Sequence, residues 1–239
     1  MVSGYFVFAG QNSRDYKIGI EQCPVYPVAQ RVVEKTTIPG RSGDVVFDTG
    51  AFSNVTQSYE IYFNGKCPGM SQAAGWLAQW LLSGQGYQRL EDSYRTDSYR
   101  MAMFTGPLDI DNWMNLYGRC TLEFDCQPQR WLKSGERATQ LQKGTVLHNT
   151  GMEALPLLQI TGSGAGVISV GDVTVNISNI GDTLTIDSAT QDAYSGTVNK
   201  NSVVTLVNGR FPSLPQGDTA ITWSGGITAV TCTPRWWTL

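Results

Sequence analysis

A single imidazole limits the reactive chemistry open to this chain. His148, in Val146-Leu147-His148-Asn149-Thr150, is the one histidine among 239 residues. Nucleophilic catalysis of the Ser-His-Asp or Cys-His kind can run on one His. However, no G-x-S-x-G, H-E-x-x-H or G-x-x-x-x-G-K-[ST] occurs to surround it, so His148 reads as a turn or strand-end residue. Asp109 and Asp111 alternate in Gly106-Pro107-Leu108-Asp109-Ile110-Asp111 and would share one face of a strand. Two carboxylates alone make neither a calcium cage nor a glycosidase pair. The run Gly162-Ser163-Gly164-Ala165-Gly166 resembles a phosphate loop, but no helix follows to aim its N–H groups. It reads as a turn between strands. Five Cys is an odd number without C-x-x-C spacing, against both a zinc site and a disulfide framework. Cys120 and Cys126 on one strand would lie about 20 Å apart at ~3.3 Å per residue, too far to bond. Buried free thiols are expected. No residue is assigned a catalytic, cofactor-binding or metal-binding role, and the chain is expected not to be an enzyme.

The elements that would position such residues are almost all strands. The exception is 69–83, Gly-Met-Ser-Gln-Ala-Ala-Gly-Trp-Leu-Ala-Gln-Trp-Leu-Leu-Ser. There Ala73, Trp76, Leu77, Trp80 and Leu81 recur at i, i+3, i+4, i+7 and i+8, the apolar stripe of a helix. Ser71 is the expected N-cap, and Ser83-Gly84 the stop. A lone amphipathic helix among strands is expected to lie across a sheet. Strands are expected at 5–8, 16–20, 28–38, 44–48, 55–63, 87–91, 98–105 and 117–126. In 55–63 the inward row is Val55, Tyr59, Ile61 and Phe63, broken only by Gln57. In the last, Cys120, Leu122, Phe124 and Cys126 alternate with charged or polar residues, the pattern of a sheet with one wet face. The polar stretch 133–143 reads as a linker. Beyond it, short strands at 155–160, 167–170, 173–177, 184–186, 203–207, 219–223 and 227–233 suggest a β-sandwich or jelly roll. The aromatic end, Pro234-Arg235-Trp236-Trp237, is expected to be docked, on the first domain.

Composition narrows the partners. Charged residues make up 15%, against a typical ~25%, which suits an all-β protein that hides surface in an assembly. The net charge of −3 comes without a polybasic run. Arg89, Arg95 and Arg100 are interleaved with Glu91, Asp92 and Asp97, so sequence-reading of nucleic acid is not expected. No apolar run approaches the ~20 residues of a membrane helix, and the first twenty residues lack a leader pattern. Synthesis and folding in a cytosol are expected. The sequons at Asn54 and Asn176 are then without consequence.

Several phrases, in order, resemble the distal tail protein family of siphovirus-type bacteriophages. They are FVFAGQNSRDYKIGIEQ, YPVAQRVVEKTTIPGRSGDVVF, LEDSYRTDSYRMAMFTGPLDI, TLEFDCQPQRW, and LTIDSATQDAYSG with NGRFPSLPQGDTAITWSGGITAVTCTPRWW. The similarity covers nearly the whole chain. Its most specific parts are Ile38-Pro39-Gly40-Arg41-Ser42-Gly43 and Asn208-Gly209-Arg210-Phe211 leading to Pro234-Arg235-Trp236. The resemblance implies a mainly β protein. An N-terminal β-sandwich-like ring domain with one helix (about 70–83) would comprise 1–134 plus 231–239. A C-terminal galectin-like or jelly-roll β-sandwich would comprise 135–230. It further implies a hexameric ring at the distal end of a phage tail. The implied partners are copies of itself, the major tail (tube) protein and the tail-tip hub or tail-associated lysin, with receptor-binding proteins as a further candidate. The virion tail tip is the implied location, reached by assembly in the bacterial host cytoplasm. Gly40, Arg41, Gly43, Tyr94, Tyr99, Met101, Met103 and Phe104 are the interface or channel candidates. A carbohydrate-binding adhesin is the alternative, resting on exposure of Trp113 or Trp223. Against it, His148-Asn149-Thr150 is not followed by the Arg of a galectin-type sugar site.

Overall fold

Alternation about the strand axis builds the first unit. In the computed structural model, which describes residues 4–63, 70–113 and 117–239, the chain divides into Met1–Arg130 with Leu239, and Trp131–Thr238. Val55–Phe63 is a strand whose residues alternate between buried and open. It pairs antiparallel with Tyr117–Leu132, Tyr59 opposite Leu122 and Gln57 opposite Phe124. The sheet runs Gln11–Asn12, Phe6–Phe8, Gln88–Asp92, Ser98–Phe104, Tyr117–Leu132, Val55–Phe63, Ile18–Ile20. It curls until its ends meet, where Ile20 donates its N–H to the Gly4 carbonyl at 2.8 Å. Gln57, the polar break in the inward row, is 2% exposed. It is tolerated because Nε2 donates to the Val25 carbonyl at 2.8 Å.

The helix spans Met70–Leu82, and Ala73, Leu77, Trp80 and Leu81 are buried on it. Trp80 stacks on Phe6 and Tyr16, with ring centroids at 5.4 and 4.5 Å, and donates Nε1–H to the Phe8 carbonyl. Phe124 fills the centre against Phe6, Phe8, Tyr59 and Phe104. Two helix expectations change. Trp76 is 41% exposed, because at 100° per residue it falls nearly a quarter-turn from the centre of the buried stripe. Ser71 lies inside the helix and is not its N-cap.

The second unit is built on two long strands, Leu157–Val170 and Gly217–Thr233, antiparallel to each other along their length. The first half of Leu157–Val170 pairs with Asp182–Asp187 and the second half with Val173–Ile177. Gly217–Thr233 likewise pairs with Thr145–Asn149 and then Thr139–Leu141. Each long strand therefore serves two layers of a β-sandwich. Leu158, Ile160, Leu184, Ile186, Val230 and Cys232 share a core with Ile168, Val170, Val173, Val175, Ile177 and Ile221.

Gly162–Gly166 is accordingly not a turn but a bulged bend within one strand. Glycine is required there. A Cβ on Gly226 would overlap the Ser163 carbonyl, and one on Gly162 the Gly226 carbonyl. The expected linker is ordered: Lys133–Glu136 forms a 3-10 turn and Thr139–Leu141 a strand paired with Val230–Cys232. The aromatic end is docked on the second unit rather than the first. Arg235 holds Asp187 bidentately at 2.6 and 2.9 Å, Trp237 donates Nε1–H to the Glu153 carbonyl, and Trp236 and Trp237 pack on the second core. Residues 231–238, expected with the first unit, thus belong to the second, because Thr231–Thr233 pair with Leu157–Gln159.

Candidate interaction surfaces

Exposed apolar side chains are concentrated in one segment. Arg31–Thr36 and Val45–Phe52 form a two-stranded ribbon separate from the curled sheet. All six residues of its first strand are exposed. Val25, Val28, Val32, Val33, Ile38, Val46 and Phe47, at 37 to 83% exposure, account for half of the exposed large hydrophobic side chains described. Glu34 faces Phe47 and Lys35 faces Val46 across the ladder, so each face mixes apolar and charged groups.

The tip follows from its sequence. Ile38-Pro39-Gly40-Arg41 closes with the Arg41 N–H donating to the Ile38 carbonyl at 3.1 Å, and Gly40 has φ +83°. Proline then glycine at the two central positions is what such a turn demands. Gly43, at φ +85°, reverses the chain into the second strand. Asp48 pairs with Arg31. Its carboxyl is held below the usual carboxylate range, first by the Gly50 N–H and then by Arg31. A two-stranded ribbon of this length is marginal in water on its own. An apolar, uncovered one reads as a docking element.

The structure separates the remaining interface candidates. Tyr99, Met101 and Met103 are half-buried on the outer face of Ser98–Phe104. Arg89 stacks over Tyr99 at 3.8 Å and reaches Glu91 at 2.5 Å. Phe104 points the other way and is 5% exposed in the aromatic core. It cannot touch a partner without unpacking that core. Tyr94 is 41% exposed, and its ring covers Gly4. Gly40, Arg41 and Gly43 sit at the ribbon tip. Val25, Val28, Val46 and Phe47 were not among the expected interface residues. For Val46 and Phe47 the signal was the lack of alternation in Asp44-Val45-Val46-Phe47-Asp48, which leaves no dry face.

Asp109 and Asp111 do come together, with Glu21, Glu60 and Glu123, around an open groove of about 640 Å³ that also holds Arg119. Arg119 pairs with Glu21 at 2.8 Å and Gln22 donates to Glu60 at 2.7 Å. Among the described residues no group of three or more His, Cys, Asp or Glu is placed to hold a metal ion. His148 lies on Thr145–Asn149 opposite Asp218, its Nδ1 at 2.5 Å from the carboxylate. Both side chains are about two-thirds exposed. Trp223 is 9% exposed, so it offers no open ring for sugar stacking. The side chain of Trp113 lies outside the described residues.

The thiols divide. Cys126 and Cys232 are buried, Cys120 half-buried and Cys23 exposed, so burial is not general. Desolvation pushes Cys126 up to about 11 and Cys120 and Cys232 to about 12. Cys67 lies outside the described residues. No described helix is long and apolar enough to cross a membrane.

No protein-family profile matches the chain, and no curated protein matches it. Solved structures do. One is a crystal structure of the Dit protein of phage SPP1, titled a paradigm of the hub adsorption apparatus of phages infecting Gram-positive bacteria. The two superpose with a TM-score of 0.77 at 15% identity, over 99% of each chain. A chain of the phage P2 baseplate in its activated conformation with Ca matches at a TM-score of 0.51 and 11% identity, over 97% of each chain. The chain thus has a Dit-like, mainly β fold, sandwich included.

Proposed function

We propose that this chain is a structural subunit of a phage tail tip, in which the first unit closes a ring with copies of itself. The exposed apolar ribbon carries the reading, because the described residues leave its apolar side chains uncovered. The likeness to the SPP1 hub protein over the full length of both chains supports it. A ring subunit needs two different complementary faces, a heterologous contact that closes by rotation. The ribbon is one such face, and the outer face of Ser98–Phe104, bearing Tyr99, Met101 and Met103, is the candidate for the other. Six copies would join the tail tube on one side to the tip hub on the other, within the virion, after assembly in the host cytoplasm. This reading gives no catalytic role to His148, which pairs with Asp218 on the surface. Sizing of the purified full-length protein, alone and with tail-tip proteins, tests the reading. A particle of six protomers is expected, whereas one protomer at micromolar concentration in both samples would overturn it.

A further inference from the structure

The geometry points to a binding site for one small monovalent anion of chloride size, in the cavity between Arg100 and Arg130 of the first unit. Both guanidinium groups are sequestered: Arg100 is 3% and Arg130 5% exposed. Arg100 spends Nη1 on the carbonyls of Gln127 and Pro128 and Nη2 on that of Pro27, at 2.9 to 3.1 Å. Its Nε, with Nε and Nη2 of Arg130, is buried without an acceptor among the described residues. The two side chains line a common cavity of about 10 Å³ with Gln57, Tyr59, Asp92 and Ser98.

The nearby carboxylate is already committed. Asp92 accepts the hydroxyls of Tyr26 and Tyr59 and the N–H groups of Tyr94 and Arg95. Two buried cations therefore face one buried anion whose acceptor positions are taken. Burial and then the Arg130 charge lower Arg100 to about 10, and burial and then the Arg95 charge lower Arg130. An unpaired buried charge is among the costliest features a fold carries. The cavity admits about one water-sized occupant. A water there would satisfy the N–H groups but leave the charge. An anion satisfies both.

The test uses the full-length protein at constant ionic strength, with sodium chloride exchanged for sodium methanesulfonate, whose anion is too large for the cavity. A ligand that binds only the folded state raises the melting temperature with the logarithm of its concentration. The expected rise is about 3–5 °C for each tenfold increase in chloride above its dissociation constant. Arg130→Met should remove the dependence. Arg95→Met, an exposed neighbour stacked on Tyr26, should keep it. Crystals of the unmodified protein grown in bromide should show an anomalous peak between the two guanidinium groups, which decides the matter if Arg130→Met does not fold. Equal melting in both salts, or a water in the cavity and no bromide peak, would overturn the proposal.

Discussion

Replacing Val46 and Phe47 with Thr should weaken assembly without weakening the fold. The two side chains are 54 and 59% exposed, so roughly half of each is left for a partner to cover. Full burial of a Val or Phe is worth about 1.5–3 kcal/mol, which puts the pair at roughly 2–3 kcal/mol per contact. At 1.4 kcal/mol per tenfold, the self-association constant should fall roughly 30- to 100-fold. Threonine keeps the strand preference, and neither residue belongs to a core cluster. Unfolding free energy should therefore stay within about 0.5 kcal/mol. Sedimentation velocity over a concentration series reads the first quantity and urea unfolding the second. Val46 and Phe47 lie on opposite faces of the ribbon, so the single variants show how the loss divides between its two faces. Unchanged association would refute the reasoning. So would a loss of stability as large as the loss of association, since it would mean that the ribbon already packs within the protomer.

Arg235→Ala should destabilise the second unit by about 1.5–3 kcal/mol, the worth of hydrogen bonds to a buried charge, and a double-mutant cycle with Asp187→Asn should return most of that as coupling. Asp187 is held below its ordinary value first by Arg235. Its contribution is therefore present above the unfolded carboxyl value near 3.9 and fades as pH falls through the lower folded value. Hence the gap between wild type and Arg235→Ala should close below about pH 4. Two glycines should respond oppositely: Gly226→Ala loses about 3 kcal/mol by overpacking on Ser163, while Gly75→Ala, on the open helix face, gains about 0.5–1 kcal/mol. Calorimetry separates them. In a Cys67→Ser chain, an aromatic disulfide reagent at pH 8 should label Cys23 fast and Cys126 and Cys232 only on unfolding; equal rates would contradict their burial.

Local pattern carried far in this chain. Period-2 alternation put Tyr59, Ile61, Leu122 and Phe124 on a dry face, and they are fully buried; the 3.6-residue stripe found the helix Met70–Leu82 to within a residue at each end. These depend on neighbours along the chain, which the sequence states directly. What it could not state was which segments meet. Polar residues at 133–143 looked like a linker because the strand they pair with lies ninety positions on. Gly162–Gly166 looked like a turn because a bend shared by two long strands has the same composition as a reversal. Arg235 found Asp187, Arg100 and Arg130 were driven together, and Val46 and Phe47 were left uncovered, all through contacts between segments distant in sequence. Such contacts are settled by what the assembled layers bury and what they leave in water.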